Sequence, residues 1–341
     1  MRIKNVSAYW ALGAAVWFAA SSSASLAQDD AATPFIRPTS VLELPEAQYF
    51  PESVTAGRGG ELYVSSISLG AIYRFPARST TALPFLPIGS RTGVAGVSFD
   101  KKRGVLWACI VDLTPGAFGS TLEALNPDTA ATVATYPLPG AALCADIAVA
   151  SPTAVFVTDT NAGQSQIFKL TTPVRKAAGG SLASWATDPA FTEPVEGVPP
   201  LGLNGIVYDP AVHSLYVGKY NSGQLFRVAV LANGNAGAVR EVVLNQNARY
   251  PTLDGIRLVA PGLLLGAVNT GPVVAISVAG SGGSSSVIRQ FDQPSSLTIS
   301  PDGVWVSEGQ VLRQQGIDPS PVNLPFKLKN LNHHASGDDG E

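Results

Sequence analysis

Histidine is scarce in this sequence, and its scarcity removes two classes of chemistry. The chain of 341 residues has three histidines. His213 lies in a turn-like stretch, and His333 and His334 lie in a polar stretch near the C-terminus. A Ser-His-Asp triad needs a histidine in the folded core, and the chain has no G-x-S-x-G elbow. We therefore expect neither a serine hydrolase nor a histidine-rich metal site.

Charge and cysteine are also sparse. Charged residues make up 14% of the chain, the net charge is −3, and no basic cluster is present, so nucleic acid is not an expected partner. The sequence contains neither a P-loop nor a G-x-G-x-x-G after a strand. The two cysteines, Cys109 and Cys144, lack the C-x-x-C spacing of metal sites. An exported pair could form a disulfide, but such apolar strand-like surroundings also hold buried free thiols, so the sequence leaves both states open.

The N-terminal stretch has the pattern of a signal peptide. Arg2 and Lys4 precede an apolar run at 8–20, and Ser25 and Ala27 fit cleavage after Ala27. The alternative is a membrane anchor, which needs a longer apolar run of about 20 residues. We therefore predict a signal peptide at 1–27 and a periplasmic or secreted protein that is not attached to a membrane after cleavage.

Six stretches of the remaining chain repeat one pattern of three or four short β-rich runs separated by turns. They start near residues 51, 94, 144, 202, 253 and 294. Four short strands in about 40–50 residues are typical of a propeller blade, whereas a sandwich does not require a sixfold recurrence. We predict an all-β fold, a six-bladed β-propeller with four-stranded blades that the N-terminal strand closes.

The same pattern sets the expected boundaries. We predict an N-terminal linker at 28–40, the propeller at 41–325 and a polar disordered tail at 326–341, with no helix. The long excursion at 171–202 is interpreted as a loop over one face, where loops carry function.

Polar residues stand near the start of several predicted inner strands: Glu52, Asp146, Asn204 and Asp254. The first strand of each blade lies nearest the axis, so these side chains should converge at one end of the channel. Converging carboxylates without paired cations repel one another, and calcium prefers carboxylate and amide oxygens. Asn-Gly and Asp-Gly are also common turn pairs. Here each pair precedes a strand at the same phase of its repeat, which favours a ligand role without excluding the turn interpretation.

These segments resemble the SMP-30/gluconolactonase family of six-bladed propellers, which is related more distantly to paraoxonases and strictosidine synthases. The resemblance is carried by "FPES", "LNGIVYD" and "LDGIRL", and it extends over roughly residues 45–316. It implies that Glu52, Asn204 and Asp254 bind one divalent cation, usually calcium, and that Asp254 is the general base. It also implies hydrolysis of a lactone or a related ester.

The sequence departs from the family pattern in several places. Ala145 stands where the family usually has a polar residue, although Asp146 remains. Leu143 lies in the region where sugar-acting members carry an arginine, which indicates an apolar pocket wall and a less polar lactone or ester. Ser53 replaces the acidic residue that helps to bind a second calcium in paraoxonase-like members.

Two further side chains, Tyr220 and Lys219, follow the second strand of the fourth unit and are candidate pocket residues. Two functions are alternatives to the hydrolase. A propeller that binds a ligand or a protein without catalysis is favoured by Ala145, and a strictosidine-synthase-like condensation would not need the metal. The three oxygen ligands favour the hydrolase. We expect a monomer acting on a small molecule.

Overall fold

The computed structural model describes residues 37, 39–112, 114, 119–150, 154–171, 180–196 and 200–332. The predicted signal peptide, most of the predicted linker, and residues 333–341 lie outside this part of the chain. Within it the secondary structure is almost entirely β-strand. None of the helices formed by the described residues is both long and apolar enough to cross a membrane.

Six antiparallel sheets form the blades of a β-propeller, as the sequence predicts. Strand β1 (Val41–Glu43) comes first in the chain. The first three blades are β2 to β5 (Pro51–Ala56, Leu62–Ser66, Ala71–Phe75, Leu83–Leu86), β6 to β9 (Val94–Asp100, Val105–Asp112, Gly119–Leu125, Thr132–Pro137) and β10 to β13 (Cys144–Ala150, Ala154–Asp159, Ile167–Thr171, Ser181–Ala186).

The other three blades follow in chain order. The fourth blade is β14 to β17 (Leu203–Asp209, Ser214–Lys219, Leu225–Val230, Ala236–Glu241). The short strand β18 (Val243–Leu244) adds in parallel to the outer edge of the fifth blade, β19 to β22 (Leu253–Ala260, Leu263–Val268, Pro272–Ala279, Gly282–Gln290). The sixth blade is formed by β23 to β25 (Pro294–Ser300, Gly303–Glu308, Lys327–Asn330) together with β1.

The N-terminal strand closes the ring. β1 pairs antiparallel with β25 as the outermost strand of the sixth blade, which confirms the predicted closure. The inner strands β2, β6, β10, β14, β19 and β23 each contact the next one around the ring, and β23 contacts β2. Closure in this form protects the inner strand edges.

Arg37 lies in the stretch predicted as a linker, but it is a packed residue. Its Nε lies 2.9 Å from Oδ2 of Asp302 in the sixth blade, and both side chains are buried. The same guanidinium donates to the carbonyls of Gly60 (2.7 Å) and Pro76 (2.9 Å) in the first blade. The linker prediction is therefore wrong at this residue, because a buried guanidinium with these partners ties the first blade to the sixth.

The polar tail predicted at 326–341 begins too early. Lys327–Asn330 forms β25, the third strand of the sixth blade. Phe326, Leu328 and Asn330 are buried, and two lysines alternate with them. This is the period-two pattern of a half-buried strand. The lysines gave the segment its tail-like composition and hid that pattern.

The prediction of no helix is wrong in two places. The structure has the single-turn helices α1 (Pro189–Thr192) and α2 (Val311–Gln314), and a 3-10 turn at Asn245–Asn247. α1 forms because the Asp188 carboxylate accepts a hydrogen bond from the N–H of Ala190, and because proline is favoured at the start of a helix. Such short helices leave no periodic pattern in the sequence.

The excursion at 171–202 is only partly the loop that the sequence predicts. Ser181–Ala186 within it forms β13, which pairs with β12 as the fourth strand of the third blade. Its Trp185 packs against Phe156, with 4.6 Å between the two ring centroids. An outermost strand with few packed residues has a weak hydrophobic alternation, which explains why it was missed.

The hydrophobic core lies between neighbouring blades. One cluster around Trp107 joins the second and third blades, and another around Trp305 joins the sixth and first. Hairpin turns connect the strands, and residues such as Gly104 (φ 66°) and Gly262 (φ 69°) take the left-handed backbone conformation that glycine adopts without strain.

Cys109 and Cys144 form a disulfide, which decides between the two states that the sequence left open. Their Cα atoms are 5.4 Å apart, an ordinary distance for a disulfide. The bond joins β7 of the second blade to β10 of the third. In the first and third blades the matching positions hold Ser65 and Thr158, whose hydroxyls donate to a carbonyl of the next inner strand at 2.7 and 2.6 Å. The disulfide replaces this hydrogen bond between blades with a covalent bond.

Candidate functional site

A β-bulge interrupts every inner strand near its start. The ladder to the second strand skips two residues in five blades and one in the sixth: Glu52–Ser53, Ala95–Gly96, Ala145–Asp146, Asn204–Gly205, Asp254–Gly255 and Ser295. Bulges re-aim side chains and are over-represented beside active sites. In this ring they turn side chains from different blades towards the central channel.

Four of the first bulge residues, Glu52, Ala145, Asn204 and Asp254, line one cavity of about 130 Å³ together with Tyr220. They come from the first, third, fourth and fifth blades. The structure therefore brings together the three residues that the sequence singles out as cation ligands. It also places Ala145 at the position in the third blade that matches them, so this blade contributes a methyl group instead of an oxygen ligand.

Asp146 is the second residue of its bulge and lines a narrower recess of the channel with Ser53 and Gly255. Its carboxylate forms an ion pair with Arg257, with Oδ2 2.8 Å from Nη1. It also accepts a hydrogen bond from the N–H of Ile206 at 3.2 Å. The prediction that the carboxylates converge without a paired cation is therefore wrong for Asp146.

Sequence reasoning missed Arg257. It lies on β19, only three residues after Asp254, within the segment "LDGIRL" that carries the family resemblance. A charged residue in the middle of an inner propeller strand is itself unusual, because charged side chains are rarely buried unless they are paired. That signal was available and pointed to an acidic partner in the channel.

Glu52 and Asp254 share an unfavourable electrostatic environment. Burial raises the pKa of Asp254 to about 8; the Asn269 hydrogen bond lowers it, Asp146 raises it and Arg257 lowers it. Burial also raises the pKa of Glu52 well above its usual range, and the charges of Asp254 and Asp146 add to this. Oε2 of Glu52 is buried without a hydrogen-bond partner. Both groups would be stabilised as carboxylates by a cation in the cavity.

Asn269 and Tyr220 form a hydrogen-bonded chain that ends at Asp254. Nδ2 of Asn269 donates to Oδ2 of Asp254 (2.9 Å) and to the carbonyl of Pro294 (2.8 Å). The Tyr220 hydroxyl donates to Oδ1 of Asn269 at 2.5 Å. Asn269 lies in the turn between β20 and β21, where asparagine is a common residue. Burial and the nearby carboxylates raise the pKa of Tyr220, so its hydroxyl stays protonated.

Lys219 does not reach the cavity, contrary to the prediction. Its Nζ donates to the carbonyls of Ala190 (2.9 Å) and Glu193 (2.7 Å), at and just after α1. Burial lowers its pKa. Successive residues of a strand point to opposite sides, so only the neighbouring Tyr220 faces the cavity.

The remaining wall of the cavity is mostly apolar. Its apolar lining consists of Ile67, Val111, Leu143, Leu201, Val311 and the disulfide-bonded Cys144. Thr160, Gln314 and Gln315 add neutral polar groups, the last two from α2 and its end. None of the described residues that line it is a lysine, an arginine or a histidine. The predicted apolar wall at Leu143 is therefore present.

The glycines after Asn204 and Asp254 allow the inner strands to approach each other closely. A Cβ at Gly205 would lie 2.1 Å from the carbonyl oxygen of Asp254. A Cβ at Gly255 would lie 2.9 Å from Cα of Ser296. Real Cβ atoms do not come so close to backbone, so these positions require glycine for packing. The Asn-Gly and Asp-Gly pairs thus lie in inner-strand bulges and not in hairpin turns.

The donor set of the cavity fits one hard divalent cation. It consists of the carboxylates of Glu52 and Asp254 and the side-chain oxygen of Asn204, with one buried carboxylate oxygen left without a partner. Such oxygens suit calcium. Among the described residues, no group of three or more His, Cys, Asp or Glu side chains is arranged to hold a metal ion. The nearest third carboxylate, Asp146, is engaged by Arg257.

Several solved structures resemble this chain. A gluconolactonase from Xanthomonas campestris matches with a TM-score of 0.58 and 14% identity, covering 85% of this chain and 89% of that one. A second gluconolactonase-like protein matches with a TM-score of 0.56 and 16% identity, covering 87% and 94%. Virginiamycin B lyase from Staphylococcus aureus matches with a TM-score of 0.53 and 12% identity, covering 85% and 97%.

The shared property of these proteins is the fold. No family model matches the chain, and no curated protein matches it in sequence. At this level of identity the structural matches establish the propeller, and they include enzymes of different reaction classes. Function has to be argued from the residues of the site.

Proposed function

We propose that this chain is an exported hydrolase of lactones or related esters that depends on one divalent cation, with calcium the expected ion. The observation that supports it is the convergence of Glu52, Asn204 and Asp254 from three blades on one cavity, with Oε2 of Glu52 buried and unpaired. The likeness to a gluconolactonase agrees with this reaction. Export rests on the signal-peptide pattern at 1–27.

These three residues would hold the cation through their side-chain oxygens. When bound, the ion would polarise the carbonyl group of the substrate and stabilise negative charge on its oxygen. It would also lower the pKa of Asp254, which burial raises to about 8 without it. Asp254 could then be ionised near neutral pH, as a general base requires.

Oδ1 of Asp254 would face both the cation and the attacking water, one through each of its lone pairs, because Oδ2 already accepts a hydrogen bond from Asn269. The carboxylate takes a proton from water while the water oxygen forms a bond to the carbonyl carbon. The bond from that carbon to the ring oxygen then breaks, and the proton passes to the departing oxygen. A lactone and water thus give one hydroxy acid, and Asp254 returns to its ionised form.

The cavity wall indicates the class of substrate. Apolar side chains from several blades surround the carboxylates, and the lining contains no basic side chain to pair with an acid group. Burial of apolar surface stabilises bound ligands in such pockets. We therefore propose neutral lactones or esters with alkyl or aryl substituents as substrates, in preference to polyhydroxylated sugar-acid lactones.

Calcium binding by the purified chain, measured by calorimetry, is the decisive test. We expect one equivalent to bind to the wild type, and we expect Glu52→Ala and Asp254→Ala each to abolish binding. Asp128→Ala is a matched control, because Asp128 is an exposed turn residue of the second blade. A panel of alkyl-substituted and sugar-acid lactones should then show cation-dependent turnover of the former. Failure of the wild type to bind any divalent cation would contradict the proposal.

A second candidate function is ligand binding without catalysis. It is favoured by Ala145, which gives the third blade a methyl group where the matching positions of three other blades carry Glu52, Asn204 and Asp254. This alternative predicts calcium binding and lactone binding without turnover. The lactone panel therefore separates the two functions.

A further inference from the structure

Asn269 is buried and lies between two residues of the cavity. It begins the turn after β20, and its side chain is 0% exposed. Each end of its amide has partners: Nδ2 donates to Asp254 and to the carbonyl of Pro294, and Oδ1 accepts from Tyr220. A turn residue needs none of these three contacts to form its turn.

The chemistry of the partners fixes the orientation of this amide. The carbonyl oxygen of Pro294 can only accept, so the NH₂ group must face it. The same NH₂ group then reaches Oδ2 of Asp254, 2.9 Å away. Oδ1 of Asn269 can only accept, so the Tyr220 hydroxyl must be the donor. The network has a single consistent set of donors and acceptors.

This arrangement has a direct consequence for Asp254. Its Oδ2 is held by Asn269, which sets the rotation of the carboxylate and leaves Oδ1 as the oxygen available to the cavity. Hydrogen-bond partners behind a ligating carboxylate orient it and commonly change metal affinity by about 10- to 100-fold when they are removed.

Tyr220 is affected in the same way. Its hydroxyl hydrogen points to Asn269, so the oxygen offers only lone pairs to the cavity that it lines. Tyr220 is therefore placed to accept a hydrogen bond from a substrate hydroxyl or a water molecule, and not to donate one to a developing oxyanion.

We propose that Asn269 is a positioning residue of the site, which fixes the Asp254 carboxylate for cation binding and for its role as base, and which makes Tyr220 a hydrogen-bond acceptor. This inference rests on the proposed function, since it concerns the same cavity. It assigns to a turn asparagine a role that its position between two strands does not suggest.

The test compares calcium affinity with stability in three variants of the full chain. Asn269→Ala removes all three contacts, and Tyr220→Phe removes only the hydroxyl while its ring packing remains. Asn161→Ala is the matched control. Asn161 occupies the corresponding turn of the third blade, and its side chain donates to the carbonyl of Ala141 and not to a carboxylate. Calcium dissociation constants are measured by calorimetry, and melting temperatures are measured without calcium.

We expect Asn269→Ala to weaken calcium binding by about 10- to 100-fold. Tyr220→Phe should weaken it by a smaller factor, about fivefold, since one hydrogen bond is lost and the amide is freed to turn. Asn161→Ala should bind as the wild type does. A purely structural role for Asn269 would lower the melting temperature and leave the affinity of the folded protein unchanged.

The outcomes separate this inference from the proposed function. Wild-type affinity in both Asn269→Ala and Tyr220→Phe, with binding lost in Asp254→Ala, would overturn the positioning role and leave the proposed function standing. If Asn269→Ala does not fold, wild-type affinity in Tyr220→Phe overturns the role by itself. Absence of divalent-cation binding by the wild type would overturn both.

Discussion

Single residues in the channel carry the electrostatics of the site. The ion pair of Arg257 with Asp146 crosses the channel between the fifth and third blades, and Asp146 also accepts from the backbone of the fourth. Burial and the neighbouring carboxylates raise the pKa values of Glu52 and Asp254. Arg257 lowers both pKa values by a smaller amount, so they stay raised. In the part of the channel that the structure describes, the positive charge of Arg257 thus faces three acidic side chains.

Removal of this charge should destabilise the protein. Arg257→Met leaves Asp146 buried without its cation, and we expect the free energy of unfolding at pH 7 to fall by about 2–4 kcal/mol. The double variant Asp146→Asn/Arg257→Met should recover part of this loss, because the uncompensated charge is gone. Urea unfolding of the two single variants and the double variant measures the coupling. Equal stability of Arg257→Met and the wild type would show that the ion pair contributes nothing.

Asp159 is a second residue with a defined pH dependence. It is buried at the end of β11, where Oδ1 accepts the N–H groups of Leu143 (2.9 Å) and Asn161 (3.0 Å). Burial raises its pKa to about 6 from the ordinary value of 3.8, and these hydrogen bonds reduce the shift. The folded state therefore binds this proton more tightly than the unfolded state does.

The sign of the effect follows from linkage. Stability contributed by protonation of Asp159 is present below pH 4 and is lost as the pH rises through 6. As the pH falls from 7 to 4, the free energy of unfolding of the wild type should rise by on the order of 1–2 kcal/mol relative to that of Asp159→Asn. Urea unfolding across this range measures the difference, in which the titration of Glu52 and Asp254 cancels. A difference that does not change with pH would contradict the shift.

At the scale of elements, the blades are joined by contacts between the second strand of one blade and the inner strand of the next. Ser65 and Thr158 make this contact through hydroxyl groups, and the disulfide between Cys109 and Cys144 makes it covalently. The device recurs because each bulge leaves backbone groups of the inner strand without ladder partners, which a hydroxyl on the facing strand can satisfy.

Loss of the disulfide should therefore lower the free energy of unfolding by more than the loss of the packing of the two side chains does. The cysteines are 35 residues apart, and closing a loop of this size stabilises a fold by about 3–4 kcal/mol in the chain-entropy model. We expect the free energy of unfolding of Cys109→Ala/Cys144→Ala to be lower by about this amount. Cys109→Ser/Cys144→Ala should retain about 1 kcal/mol more, because serine restores the hydroxyl found in the first and third blades. Chemical denaturation compares the two, and identical stabilities would reject this equivalence.

At the scale of the whole molecule, ring closure depends on residues far apart in the sequence. β1 completes the sixth blade, and just before it Arg37 ties Asp302 of that blade to carbonyls of the first. These contacts form only when both ends of the propeller meet. Closure of the ring therefore adds contacts that hold the first and sixth blades together.

Truncation of Arg37 should weaken the contact between the first and sixth blades. Arg37→Ala leaves Asp302 buried without its cation, and we expect the free energy of unfolding to fall by about 3–5 kcal/mol. Arg58→Ala is the control, because Arg58 is an exposed arginine of the first blade with a single carbonyl partner. The rate of amide hydrogen exchange in Arg37→Ala should increase most in β1 and β25. If Arg37→Ala is no less stable than Arg58→Ala, the contact between the first and sixth blades does not depend on Arg37.

The sequence by itself determined the six repeats, the starts of the inner strands and the three oxygen-bearing side chains that meet at the cavity. These features are local: each depends on alternation, turn residues and a polar side chain at a fixed point of a repeat. The same logic failed where local composition was ambiguous. The lysines of β25 resembled a tail, β13 had little apolar alternation, and Arg37 stood in a stretch with no repeat.

Only the tertiary structure decided which groups face one another across the ring. The pairing of Arg257 with Asp146, the contact of Asn269 with Asp254, the direction of Lys219 and the disulfide join residues from different blades or opposite faces of a strand. No spacing rule within a repeat specifies such contacts, because they depend on how the bulged strands pack around a common axis. The acidic and amide side chains of the cavity were visible in the sequence, whereas their electrostatic partners required the closed ring.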